Sequence, residues 1–286
     1  MLTRLGAAPL GRKKRQLTAS QLGERPLIFT RHPIVVSFSP KSACTHVVTW
    51  YFLHERLLPA ANYFHSWPHR YRTKVYYQSA MYQRRRDTLM EQGPKNWTLI
   101  KVTRDPMKRL VATFRHAVRT RFADEFAMGK GINILKDGLT LREFGELYKD
   151  VDLRRTAKKA DIHVCSQIQP IWNLNFGRII TLNMDEVPLN DSMNDIERSL
   201  GLNVTDFSAH AKFSQIRDNH YVNNDQDLGS VDSLEDVRFY RDEVVKRFPK
   251  TALQNLPFTS ELAKKLYPDD FAPVRTSDTK GELFQG

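Results

Sequence analysis

The chain has 286 residues, 44 Lys and Arg against 32 Asp and Glu, a formal net charge of +12 at pH 7, and 41% hydrophobic and 10% aromatic residues. Sixteen Phe, ten Tyr and four Trp supply a sizeable core and exclude disorder of the whole chain. No stretch approaches the roughly 20 apolar residues of a membrane span, and two cysteines, Cys44 and Cys165, exclude a disulfide framework or a four-cysteine zinc site.

The first 31 residues carry seven basic side chains against one acid, Glu24, which is half of the net charge. The run Arg12-Lys13-Lys14-Arg15 has the composition to contact nucleic acid or anionic lipid. A solvated tail over 1–31 is the simpler reading. Peripheral contact with an anionic membrane is kept beside it, and no nucleic-acid partner is expected. No apolar segment of the secretory type follows the charges, so the expected location is cytoplasmic, in a bacterium, or a Golgi lumen if the natural N-terminus is longer.

From residue 34 the pattern becomes regular. Ile34 to Ser39 reads as a short buried strand, followed by the loop Pro40-Lys41-Ser42-Ala43-Cys44-Thr45 and a helix with Thr45 as its N-cap. Trp97 to Val102 is a second strand. Asp105-Pro106 then opens a helix, with a capping carboxylate and a proline in the first turn. Leu110, Val111, Phe114 and Val118 form the apolar stripe of that helix, while Lys108, Arg109, Arg115 and Arg119 point elsewhere. Thr140 and Glu143 make a capping box. Arg178 to Asn183 is a third strand, and Asp191 or Ser192 caps a helix that stops at Gly201. Helices are expected over Ser233–Phe248 and Thr259–Tyr267. Strands alternating with helices, without hairpin signals, predict an α/β fold with a central parallel sheet and helices on both faces. One domain over 32–272 is expected, with a polar tail over 273–286.

Ligands of open parallel sheets sit beyond the carboxyl ends of the strands. Two such ends carry cations, Lys41 and Arg104. A tight loop running into a helix N-terminus directs backbone N–H groups at an anion, and Ser42 and Thr45 add hydroxyls. A nucleoside-triphosphate P-loop would end in the same Lys-Ser pair, but its glycines are absent: Pro40 stands where the second would be.

The segment Pro40-Lys41-Ser42-Ala43-Cys44-Thr45 resembles the Pro-Lys-x-Ala-Cys-Thr loop of carbohydrate sulfotransferases that use 3′-phosphoadenosine 5′-phosphosulfate (PAPS). Thr103-Arg104-Asp105-Pro106-Met107-Lys108-Arg109-Leu110-Val111-Ala112-Thr113-Phe114-Arg115 resembles their second signature, Arg-[Asp/Glu]-Pro-x-x-Arg-Leu-Val-Ser-x-[Tyr/Phe]-Arg. Weaker similarities lie at Leu141–Phe144, at Asp161-Ile162-His163 before Gln167, and at Leu266–Phe271. The resemblance implies a P-loop nucleotide-hydrolase-like fold and transfer of a sulfuryl group from PAPS, as co-substrate and without metal, to a hydroxyl of a glycan or glycolipid. It assigns the 5′-phosphosulfate to the loop Lys41, Ser42, Ala43, Cys44, Thr45 and His46, with Lys41 catalytic at the bridging oxygen, and the 3′-phosphate to Arg104. The family's serine is replaced by Ala112. Thr113, and a later segment with Lys212, Phe213, Ser214 and Arg217, are the candidates to supply its contact.

A sugar hydroxyl needs a general base. His69 is the first candidate and His163 the second. Arg84-Arg85-Arg86, with Arg70, Arg72 and Lys74, is a candidate patch for an anionic acceptor. Two other readings are kept: an ATP-dependent kinase, and a non-enzymatic polyanion-binding protein working through its basic tail.

Overall fold

The computed structural model describes residues 16–185, 188–220 and 233–271, and for residues 217–220 the backbone alone. A short helix, α1 (Ala19–Leu22), precedes two strands, β1 (Leu27–Ile28) and β2 (Ile34–Phe38). Four helices follow: α2 (Cys44–His54), α3 (Leu58–Phe64), α4 (Pro68–Lys74) and α5 (Ala80–Gln92). Then come β3 (Thr98–Thr103), the long helix α6 (Pro106–Arg119), and α7 (Asp124–Met128), α8 (Ile134–Asp137) and α9 (Leu141–Tyr148). The chain continues through β4 (Arg178–Asn183), α10 (Leu189–Ser199), α11 (Ala211–His220), α12 (Lys250–Asn255) and α13 (Pro257–Leu266).

The sheet has the order β1-β2-β3-β4. Strands β2, β3 and β4 are parallel, with Val36 opposite Ile100 and Ile100 opposite Ile180. The expected all-parallel sheet is corrected at one edge. Residues Leu27 and Ile28 pair antiparallel with Val36 and Val35, so the sheet is mixed. Successive residues of β2 and β3 are buried, so cover lies over both faces at the sheet's centre. The expected boundary of the tail at residue 31 also moves. Leu17, Leu22, Leu27, Ile28 and Phe29 are buried in the core, and the run at 12–15 lies outside the described residues.

Two apolar clusters form. One joins the sheet to α2, α5 and α10, and the other joins α6 to α9, α12 and α13. Helix α6 starts as read, with the Asp105 carboxylate accepting from the Lys108 N–H at 2.9 Å, and the Thr140–Glu143 capping box closes as expected. Three expected boundaries are corrected. Helix α2 begins at Cys44, with Ala43 rather than Thr45 at its N-cap, and α10 begins at Leu189 after Pro188. Over 233–248 there is one short 3-10 turn, Leu234–Asp236, because Phe239 pairs its backbone with Leu139 instead of continuing a helix. No described helix is long and apolar enough to cross a membrane.

Candidate anion-binding cavity

At the carboxyl end of β2 the chain turns through Ser39–Ala43. Ser42 is buried, with its hydroxyl 3.0 Å from that of Ser39 and its N–H on the Ser39 carbonyl, which fixes the turn. Lys41 (φ 70°) and Ala43 (φ 49°) both occupy the left-handed region. For residues with a Cβ this costs about 1–2 kcal/mol each, a local strain of the kind held at binding loops. Alternating handedness also curls the backbone N–H groups into a concavity suited to an anion. The first-turn N–H groups of α2, which have no acceptor within the helix, follow directly.

The end of β3 meets this loop. The Arg104 guanidinium donates from Nη1 to the Lys41 carbonyl at 2.9 Å. Its backbone is gripped by Gln167, whose side chain accepts from the Arg104 N–H and donates to the Arg104 carbonyl, both at 3.0 Å. Gln167 is held in turn by Asp270, whose carboxylate accepts from the Gln167 N–H at 3.1 Å and from the Ser166 hydroxyl. Asp270 also faces Arg109 at 3.7 Å, and that guanidinium lies 5.2 Å from the centre of the Tyr267 ring. The segments at 161–167 and 266–271 thus brace Arg104 from behind.

Loop and helix enclose a cavity of about 460 Å³. Of the residues singled out from the sequence, Lys41, Ala43, Cys44, Thr45, His46, His69, Arg104 and His163 line it. Three do not. Ser42 supports the turn, Ser214 lies on α11 outside the lining, and the Thr113 hydroxyl donates to the His163 carbonyl at 3.2 Å. Thr113 therefore cannot replace the serine contact, and Ala112 forms the wall at that place. The expected loop at 212–214 is helical. Phe213 packs on His46 at 4.8 Å, Lys212 donates to the Ser66 carbonyl, and the Arg217 side chain lies outside the described residues. The arginine patch is likewise partly structural. Arg85 donates to the carbonyls of Phe29 and His32 and covers Trp97, and Arg72 lies over Phe38.

The sequence reading did not place Arg115, His116 and Arg119 at the site; with Ala112 they form a face of α6 that lines the cavity. Their i, i+3, i+4, i+7 spacing is the signal that exposes them, opposite the apolar stripe. With Lys250 from α12, the described lining holds five cations, Lys41, Arg104, Arg115, Arg119 and Lys250, and no carboxylate.

The electrostatics follow from that crowding. Burial pulls the Lys41 ammonium down to about 8, with repulsion from Arg119, Arg104 and Arg115 adding to it. Burial, then Lys41 and His163, lower His116 to about 3, and burial lowers His46 to about 4. Both rings are neutral at pH 7.

The two candidate bases differ in their partners. His69 is buried, with Nε2 3.2 Å from the Thr45 hydroxyl. His163 stacks on Phe122 and meets His116 at a tilt, with ring centres at 5.1 and 4.7 Å, and its Nδ1 lies 2.6 Å from an Asp161 carboxylate oxygen. Partial burial works against the Asp161 charge, but hydrogen bonds from the His163 side chain and backbone hold its carboxyl below the usual range. A neutral His163 ring that gives its Nδ1–H to that carboxylate has its lone pair on Nε2.

Comparison of the chain with known protein families, with curated proteins and with solved structures finds no match.

Proposed function

We propose that the chain is a PAPS-dependent carbohydrate sulfotransferase of P-loop-related fold, with the cavity as its donor site. One observation carries the reading. Lys41 and Arg104, which follow the ends of adjacent parallel strands and belong to the two signature-like segments, line one cavity, and the Arg104 guanidinium donates to the Lys41 backbone carbonyl. The residues present fit a bisphosphorylated donor. The curled loop and Lys41 suit a 5′-phosphosulfate, and Arg104 suits a 3′-phosphate, with one hydroxyl contact fewer because of Ala112.

Sulfuryl transfer resembles phosphoryl transfer in needing in-line positioning and stabilisation of charge on the leaving oxygen. His163, oriented by Asp161, removes the proton from the acceptor hydroxyl through Nε2. The acceptor oxygen bonds to sulfur as the bond from sulfur to the bridging oxygen breaks, and Lys41 with the loop N–H groups stabilises the phosphate that leaves. His163 is preferred to His69 as the base because a carboxylate fixes its tautomer, whereas the His69 Nε2 is already beside the Thr45 hydroxyl.

Calorimetric titration with adenosine 3′,5′-bisphosphate tests this, with ATP and magnesium as comparator. Micromolar, magnesium-independent binding is expected, weakened roughly ten- to a hundredfold by Lys41→Ala and by Arg104→Ala, as for loss of a charge-assisted hydrogen bond. Thermal melts of both variants separate lost binding from lost folding. Tight magnesium-dependent ATP binding without bisphosphate binding would replace the sulfotransferase by the kinase.

A further inference from the structure

We propose that the outer face of α3 and α4 is a docking surface for an anionic lipid bilayer, with Tyr63, Phe64 and Trp67 entering the headgroup layer and Arg70 and Lys74 meeting its charge. The inference stands independently of the donor-site reading.

Helix α3 buries Leu58 and Ala61 and leaves Pro59, Ala60, Tyr63 and Phe64 exposed. Tyr63 is 96% exposed, so its ring protrudes into solvent. The surface continues onto α4. Trp67, at the N-cap of that helix, is exposed, as are Arg70 and Lys74, four apart on one side of it. The Phe64 ring meets the Tyr71 ring edge to face with centres 5.9 Å apart, and Lys212 donates to the Ser66 carbonyl. These contacts hold the end of α3, the turn and α4 as one surface.

Exposed large apolar side chains grouped in this way mark an interaction site. Two properties say what it meets. Residues 56–86 hold seven Lys and Arg and no Asp or Glu, so the partner is anionic. A protruding ring such as Tyr63 enters a soft layer without needing a groove to receive it. Tyr and Trp rings settle at the level of lipid headgroups, Phe goes with the acyl boundary, and neighbouring cations attract anionic lipid. Trp67 also lines the cavity, so a bilayer on this face brings its headgroups to the cavity rim.

Trp67 makes the test direct, because it is 51% exposed while Trp50, Trp97 and Trp172 are 2, 2 and 6% exposed. The full chain is sedimented with vesicles of phosphatidylcholine containing about one third phosphatidylglycerol. Binding is expected to be at least tenfold tighter than to phosphatidylcholine alone and to weaken as salt rises. Brominated acyl chains should quench tryptophan emission, and Trp67→Phe should abolish the quenching. Tyr63→Ser with Phe64→Ser, and Arg70→Gln with Lys74→Gln, should each weaken binding at least tenfold. Both losses should persist in a chain carrying Arg12→Gln, Lys13→Gln, Lys14→Gln and Arg15→Gln, which separates this face from the basic run. Equal affinity for neutral vesicles, quenching that survives Trp67→Phe, or binding that depends on the basic run and not on Tyr63 and Phe64 overturns the proposal. Self-association in vesicle-free solution that Tyr63→Ser with Phe64→Ser abolishes would give the face to a second copy of the chain instead.

Discussion

Lys41 holds an ammonium where charge is costly and surrounds it with other cations. Its folded pKa, about 8, is below the unfolded value, so the cost to stability is full below pH 8 and is relieved as pH rises from 8 toward 10.5. An anion facing Lys41 removes that cost by keeping it protonated. Bisphosphate affinity should therefore fall as pH rises through 8, and calorimetry at pH 8 in buffers of different ionisation heat should detect uptake of about half a proton. Binding without proton uptake would place the phosphates away from Lys41. Ala112 offers a test in the opposite direction. Ala112→Ser adds a hydroxyl to the cavity wall and should tighten bisphosphate binding about tenfold, the usual size of a hydrogen bond to a charged group, with no gain for adenosine 5′-monophosphate. Lys41 and Arg104 were legible because each follows an apolar strand within three residues. The buried fate of Arg109 and the direction of the Thr113 hydroxyl were not, because each depends on segments 50 or more residues away.

Helix α6 serves two masters. One face fills the second apolar cluster with Leu110, Phe114 and Val118, and the other lines the cavity with Ala112, Arg115, His116 and Arg119. Between them Arg109 is fully buried against Asp270, whose carboxyl is pushed up by burial despite the guanidinium. Arg109→Leu leaves that carboxylate buried without its cation and should cost about 3–5 kcal/mol in urea unfolding, whereas Arg109→Leu with Asp270→Leu should recover much of the loss. Equal losses in the single and double variants would deny the coupling. The start of α6 was readable because Asp105 and Pro106 act locally. The two-residue strand β1 was too short to show an alternation. Residues 233–248 mimicked a helix because Val244 and Phe248, four apart, are both buried, while a distant backbone pairing with Leu139 sets their course.

The cavity lies where the two apolar clusters meet. The 40–46 loop follows a strand of the first, and Val111 and Phe248 belong to the second. This position ties stability to the histidines at the junction. His46 and His116 are neutral in the folded chain down to about 4 and 3, but take a proton near 6.5 when unfolded. The unfolded state binds more protons below 6.5, so stability should drop with falling pH by up to about 2.7 kcal/mol per unit between 6 and 4. Urea unfolding across that range checks this, and His116→Gln should flatten the slope by about half. The most direct measurement of the central proposal is a crystal structure with adenosine 3′,5′-bisphosphate. The expected density places the 5′-phosphate on the loop N–H groups beside Lys41 and the 3′-phosphate against Arg104 and Ala112. A bisphosphate bound elsewhere, with this cavity unoccupied, would contradict it.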